Sequence, residues 1–369
     1  MGIMDIVVIG AGYAGMTAAL RLDRSHRITL ISADDSFTER VRLHERAAGR
    51  PSVSTPLAEL TRGTGIRTVE GRVTGIDAEA GTLTLGDGRE FRYDTLVYAL
   101  GSFTDTSVPG VAEHAYAAEN AAELGERLRQ GGGHLAVVGG GLTGIELATE
   151  LAESYPRWQV KLVTGAHPAA GLSRRGRAHV AKVLTRLGVS VHPDTRVEAV
   201  TPDGLSTAQG PIEADVVVWA GSFAVSELAA KAGLAVDERG RTLVDATLRS
   251  VSHPDVYVVG DAAAVDVPRA GVSRMSCAVG MPIAAHAADA VNARARGRAV
   301  RPFRFRYMIQ CVSLGRRDGV IQVVRRDDSP IELILPGRPG AWVKELICRY
   351  AAGSLRVARL LPRSYWWPK

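Results

Sequence analysis

The chain has 369 residues, which at roughly 150 residues per domain allows two domains and a remainder, and its 46% hydrophobic content is enough to fill their cores. The net charge of +6 points weakly to nucleic acid, because only five of the 45 basic residues are lysines and the arginines are scattered except near the C-terminus. Three cysteines, Cys277, Cys311 and Cys348, have neither CxxC nor CxxxxC spacing, which argues against a metal site and a redox disulfide. Sparse cysteine suits a reducing cytoplasm. The first residues lead straight into an apolar run without a basic segment, so no signal peptide is expected. No apolar run approaches the ~18 residues needed to span a bilayer, so any membrane contact is peripheral, on the inner face.

In chain order, residues 5–22 (DIVVIGAGYAGMTAALRL) read as a strand, a GxGxxG turn and an alanine-rich helix, and a second strand follows at 27–32 (RITLIS). The same unit returns at 134–152 (HLAVVGGGLTGIELATELA), again with a following strand, 159–164 (QVKLVT). Gly10 and Gly139 allow the tight turn out of each strand. Gly12 and Gly141 leave room for a pyrophosphate to approach the backbone. Gly15 and Gly144 let helix and strand pack closely. The pyrophosphate would sit at the helix N-terminus, on free N–H groups. Residues 93–102 (YDTLVYALGS) and 214–222 (ADVVVWAGS) read as buried strands ending in glycine turns, at Gly101 and Gly221. Residues 256–263 (VYVVGDAA) end a further strand at Gly260-Asp261, an aspartate placed either to accept from a ribityl hydroxyl or to cap a helix.

Taken as a set, these motifs resemble the pyridine-nucleotide-dependent flavoproteins of the glutathione-reductase-like fold, and within them the type II NADH dehydrogenases and apoptosis-inducing-factor-like oxidoreductases. The resemblance covers residues 5 to about 300. It implies an α/β fold of two Rossmann-like dinucleotide-binding domains, the NAD(P) domain inserted in the FAD domain, with a small C-terminal α+β segment. The expected bounds are 1–108 and 252–300 for FAD, 109–251 for NADH or NADPH, and 301–369 for the remainder. It also implies hydride transfer from the nicotinamide to the flavin, the cofactor carrying the chemistry.

The residues expected at FAD are Gly10, Gly12, Ala14, Gly15, Ser32, Arg42, Val73, Ala99, Gly101, Gly260 and Asp261. Those expected at NAD(P)H are Gly139, Gly141, Thr143, Gly144, Glu146, Thr164 and Gly221. Ser32 and Thr164 stand where such units usually place a ribose-binding carboxylate. With Arg174, Arg175 and Arg177 nearby, Thr164 leaves NADPH open beside NADH. The segment 37–49 (FTERVRLHERAAG) has no CxxxxC, which excludes disulfide chemistry and leaves Arg42 as a candidate charge for reduced flavin and His44 as a candidate proton donor. Glu146 is expected near the nicotinamide, on one helix face with Glu150. Ala278 and Pro282 occupy the two positions where quinone-reducing relatives carry glutamine, so a quinone-like acceptor follows from the family resemblance alone. A small redox protein, a tailoring reaction and a slow redox sensor stay open.

After residue 300, 303–316, 321–324 and 331–335 alternate like strands. Residues 341–361 read as a helix with Trp342, Leu346, Ile347 and Tyr350 at helical spacing, interrupted at Gly353, with Lys344 and several arginines adding surface charge. Two readings stand: a basic amphipathic helix lying on a membrane, or a helix burying that stripe against the body or in a homodimer interface.

Overall fold

The computed structural model describes residues 2–51 and 54–369. Two five-stranded parallel sheets organise them. The first has the order Val256–Val258, Thr95–Tyr98, Asp5–Ile9, Arg27–Ser32, Arg67–Glu70. The second has the order Ala115–Tyr116, Val216–Trp219, Gly133–Val138, Trp158–Val163, Ser190–His192. Apolar β-branched runs such as Ile6-Val7-Val8-Ile9 are buried on both faces, as strands covered by helices require. Each sheet carries an antiparallel three-stranded meander, at 73–92 and 197–213. The chain leaves the first sheet after Thr95–Tyr98 and rejoins it at Val256–Val258. Near the two crossovers, Phe103–Thr104 pairs with Phe223–Ala224.

In the first sheet the helix Tyr13–Arg21 packs on the helix Cys277–Ala295. Small residues make the approach close, and Arg21 donates twice to the Asp289 carboxylate, at 2.9 Å each. The pairing joins sequence-distant segments around one core.

The C-terminal segment forms the antiparallel sheet Ile309–Ser313, Gly319–Val324, Pro330–Pro336, then a single helix, Gly337–Leu360. Two expectations need correction here. Phe303, Phe305 and Tyr307 are buried without forming a strand; in the first core Phe303 stacks on Phe305, whose ring meets Tyr307 edge to face. The helix is not broken at Gly353, because a lone glycine weakens a helix by only about 1 kcal/mol and packing overrides that. The helix buries Gly340, Lys344, Cys348, Ala351, Leu355 and Ala358, spaced at three and four residues. Its small side chains bring it close to the body. Of the residues read at helical spacing, Trp342, Leu346 and Tyr350 face outward and Ile347 is half-buried, so the body does not bury that stripe.

Candidate active site at the domain junction

The two nucleotide cradles are built alike. Gly10 and Gly139 have positive φ, +96° and +127°, and a side chain on either would run into the carbonyl of Ala99 or Ala220. A side chain on Gly15 or Gly144 would run into the carbonyl of Gly10 or Gly139. Gly12 and Gly141 behave differently. A Cβ built on either meets no atom of the described residues within 4 Å, so none of them demands glycine there. Both are helix N-caps without a side-chain cap, and neither helix has an acid in its first turn. Uncapped N–H groups beside open space, with no competing carboxylate, fit the pyrophosphate of a dinucleotide.

The remaining expected residues fall around these cradles. Ala14 lies against Gly260, whose φ is +72° and whose Cβ would stand 3.0 Å from the Ala14 methyl. Ser102 Oγ donates to Asp261 Oδ2 at 2.7 Å, and burial pushes the Asp261 carboxyl up despite that bond. Gly101 has φ +64° and open space in front of it. Ser32 ends its strand and is half-buried, while Val73 packs against the first core from the meander. In the second unit Thr143 is half-buried, Gly221 lies against the Trp219 ring, and Thr164 is buried against Gly140, which could not carry a side chain there. Arg174 and Arg175, at the start of the next helix, give their backbone N–H groups to Glu332, and Arg175 Nη1 donates to the Glu332 carbonyl at 3.2 Å.

Between the cradles, three distant stretches meet. Lys344 Nζ, from the C-terminal helix, donates to Glu146 Oε1 at 2.9 Å, and the Ser313 N–H donates to the same oxygen at 3.0 Å. The two side chains are only 11% and 12% exposed. Burial raises the Glu146 carboxyl, but Lys344 and His44 more than offset it, so Glu146 sits below its ordinary value. Burial opposes charge on Lys344, yet Glu146 lifts it well above its own. The pair is therefore ionised. His44 is buried beside it, its Nε2 has no partner among the described residues, and burial pulls it below 6.5. Tyr13 Oη and Ser276 Oγ are likewise buried without partners among the described residues, so unspent polar groups border both the first cradle and the start of the Cys277–Ala295 helix. Arg42, expected from sequence to offer its charge to reduced flavin, is bonded to Glu39 at 3.0 Å, Glu45 at 3.1 Å and Glu345 at 2.9 Å. Glu150, one turn after Glu146, is fully buried and held by Arg50 at 3.1 Å and Arg316 at 2.9 Å. Burial pushes Cys277 up to about 11 and Cys348 up to about 12, so neither is a thiolate at neutral pH.

Sequence reasoning missed Lys344, Glu150 and Arg316 as members of this junction. The signal for Lys344 was the run of small residues Cys348, Ala351 and Ala358 on its own helical face.

Residues 4–291 match the family of pyridine nucleotide-disulphide oxidoreductases. The chain belongs to this family. It is an FAD-dependent NAD(P)H oxidoreductase of two dinucleotide-binding domains. An NADH dehydrogenase-like protein of Mycobacterium tuberculosis is 30% identical over 313 residues, 76% of this chain and 78% of the relative. A type II NADH:quinone oxidoreductase of Staphylococcus saprophyticus is 27% identical over 93% of each chain. The sulfide:quinone oxidoreductase of Aquifex aeolicus superposes with a TM-score of 0.83 at 21% identity, over 97% of this chain and 93% of that one, a likeness of fold.

Proposed function

We propose that this oxidoreductase passes electrons from NADH or NADPH to a quinone-like acceptor drawn from a membrane surface. FAD, when bound, supplies the chemistry: it accepts hydride and releases electrons. The chain's residues bind, orient and supply protons. Gly10, Gly12, Ala14, Gly15, Ser32, Val73, Ala99, Gly101, Gly260 and Asp261 hold FAD. Gly139, Gly141, Thr143, Gly144, Thr164 and Gly221 hold the nicotinamide nucleotide, with Glu146 beside its reactive end. Quinone reduction needs two electrons and two protons; hydride supplies one proton, and His44 Nε2 delivers the other from solvent. Arg42 acts as a positioning residue that fastens the C-terminal helix through Glu345.

The observation that carries this reading is the two-sided C-terminal helix. One side brings Lys344 to Glu146. The other exposes Trp342, Leu346, Tyr350, Val357 and Leu360 at the same three-and-four spacing. A globular fold needs one apolar stripe per surface helix; a second, flanked by Arg338, Arg349 and Arg363 and followed by Trp366 at 70% exposure, fits the interface of an anionic membrane. No helix among the described residues is long and apolar enough to cross one. A lipid-soluble acceptor would then enter where the helix meets both surfaces. With no CxxxxC pair to relay electrons, the acceptor must meet the reduced site directly. The quinone-reducing relatives support the same acceptor class.

Steady-state turnover of NADH and NADPH against soluble quinones, ferredoxin and oxygen, with and without vesicles, tests this. We expect the highest kcat/KM with quinone. Trp342→Ser with Leu346→Ser should abolish vesicle binding and leave turnover of a water-soluble quinone intact. Faster turnover with ferredoxin, or unchanged vesicle binding in the double variant, contradicts the reading.

A further inference from the structure

The last turn of the C-terminal helix borders an open cavity of about 350 Å³ lined by Glu59, Arg62, Arg356 and Arg359. Glu59 and Arg62 come from the short helix Leu57–Thr61 and the residue after it; Arg356 and Arg359 are three apart on the C-terminal helix and so share a face. Three guanidinium groups thus face one carboxylate. That carboxylate is spoken for in part, by Arg356 Nε at 3.6 Å, while Arg356 Nη2 also donates to Thr55 Oγ1 at 3.3 Å. Among the described residues Arg62 makes no ion pair, and neither does the side chain of Arg359. The helix C-terminus would ordinarily add negative potential, but the Arg359 carbonyl accepts from the Arg24 guanidinium, which offsets it. The chain concentrates positive charge here and neutralises only part of it, through Glu59.

The position of this cavity gives it a ligand. At 100° per residue, Leu360 lies about 40° around the helix from Arg356, and Val357 about 100°. Both belong to the outward apolar stripe, and Leu361 continues it at 63% exposure. A molecule with its anionic oxygens among Arg62, Arg356 and Arg359 would lay its apolar part along Val357, Leu360 and Leu361. We propose that this cavity is a binding site for the phosphate headgroup of an anionic phospholipid, with its acyl chains on the adjoining stripe. The inference rests on the membrane-surface reading above and adds to it a chosen lipid class and a fixed point of attachment. Arginine suits the task, since its planar fork pairs two phosphate oxygens at once and is weakly hydrated.

The test is flotation of the flavin-loaded protein with vesicles of phosphatidylcholine alone or of phosphatidylcholine mixed with phosphatidylglycerol. Three proteins are compared: the natural chain, Arg62→Gln with Arg359→Gln, and Arg239→Gln with Arg298→Gln, which removes the same charge from exposed positions elsewhere. The natural chain and the control double should prefer phosphatidylglycerol vesicles. The Arg62/Arg359 double should lose roughly tenfold or more of that partition while keeping its flavin and its binding to phosphatidylcholine. Glycerol phosphate at equal concentration should not compete, because it lacks the acyl chains; full competition by it would assign the cavity to free phosphate esters and overturn the lipid proposal. Equal losses in the two doubles would overturn it as well, leaving diffuse charge as the cause and the membrane reading intact. Failure of the natural chain to float with either vesicle overturns both.

Discussion

The helices Tyr13–Arg21 and Leu142–Ser154 begin identically and end in different surroundings. Each starts from a bare glycine cap facing open space, and each is locked to its strand by a glycine that admits no side chain. Beyond the first turn they part. The first buries Met16, Ala18, Ala19 and Leu20 and is tied to a neighbouring helix by Arg21. The second carries Glu146 and Glu150, two carboxylates taken out of water and neutralised by Lys344, Arg50 and Arg316 from remote stretches of the chain. The same cradle serves as a fixed mount in one half and as a junction in the other. What distinguishes the roles is which charges the helix buries.

The largest expected effects test the shared part. Gly12→Val and Gly141→Val place a side chain where the protein has no atoms, so both should fold. Blocking hydrogen bonds to a charged pyrophosphate should cost at least about 3 kcal/mol, more than a hundredfold in affinity. Gly12→Val should purify colourless. Gly141→Val should purify yellow and fail to be reduced by NAD(P)H. A yellow Gly12→Val protein with an unaltered flavin spectrum would contradict the equivalence of the cradles.

The next effect tests the part that differs. Removing one member of a buried ion pair strands the other, at about 3–5 kcal/mol, whereas removing both is far milder. Lys344→Met and Glu146→Gln should each lower the urea midpoint strongly, and the double variant should recover much of the loss. Additive losses would mean the two side chains do not meet.

A smaller effect is pH-dependent. His44 is held neutral by burial, so its folded value lies below its unfolded 6.5. The folded state therefore binds fewer protons than the unfolded one below pH 6.5. Stability is full above that and falls as pH drops toward the folded value, by at most about 1.4 kcal/mol per pH unit from this group. Urea titrations at several pH values should show that slope weaken in His44→Gln. An identical slope in the variant would place the titrating group elsewhere.

The smallest effect concerns the nucleotide. Thr164 offers no carboxylate against a 2′-phosphate, while Glu332 stands at the start of the arginine-bearing helix. The kcat/KM ratio for NADH over NADPH should stay below about a hundredfold, roughly 2.7 kcal/mol. A larger preference for NADH would show that another group excludes the phosphate.

Much of the cradles was legible because their logic is local: a strand, three glycines and a helix within eighteen residues, written twice. Gly10 and Gly139 could be assigned a strained turn from spacing alone. The junction was not legible, because its partners are remote. Glu146 and Lys344 are 198 residues apart, and Arg42 meets a carboxylate from 303 residues away. A sequence shows that a charge exists and leaves its counter-charge unnamed. The packed face of the C-terminal helix was not legible for a related reason. Trp342, Leu346 and Tyr350 form the conspicuous stripe, but the packed face is the one of small residues, since close approach to a body selects cysteine and alanine over tryptophan.

The measurement that bears most directly on the proposed activity is anaerobic stopped-flow absorbance of the flavin, following reduction by NADH and then reoxidation by a water-soluble quinone or by ferredoxin. The account predicts that quinone reoxidises the protein far faster than ferredoxin, and that His44→Gln slows this step more than it slows reduction. Rapid reoxidation by ferredoxin with quinone inert, or an unchanged quinone step in His44→Gln, would contradict it.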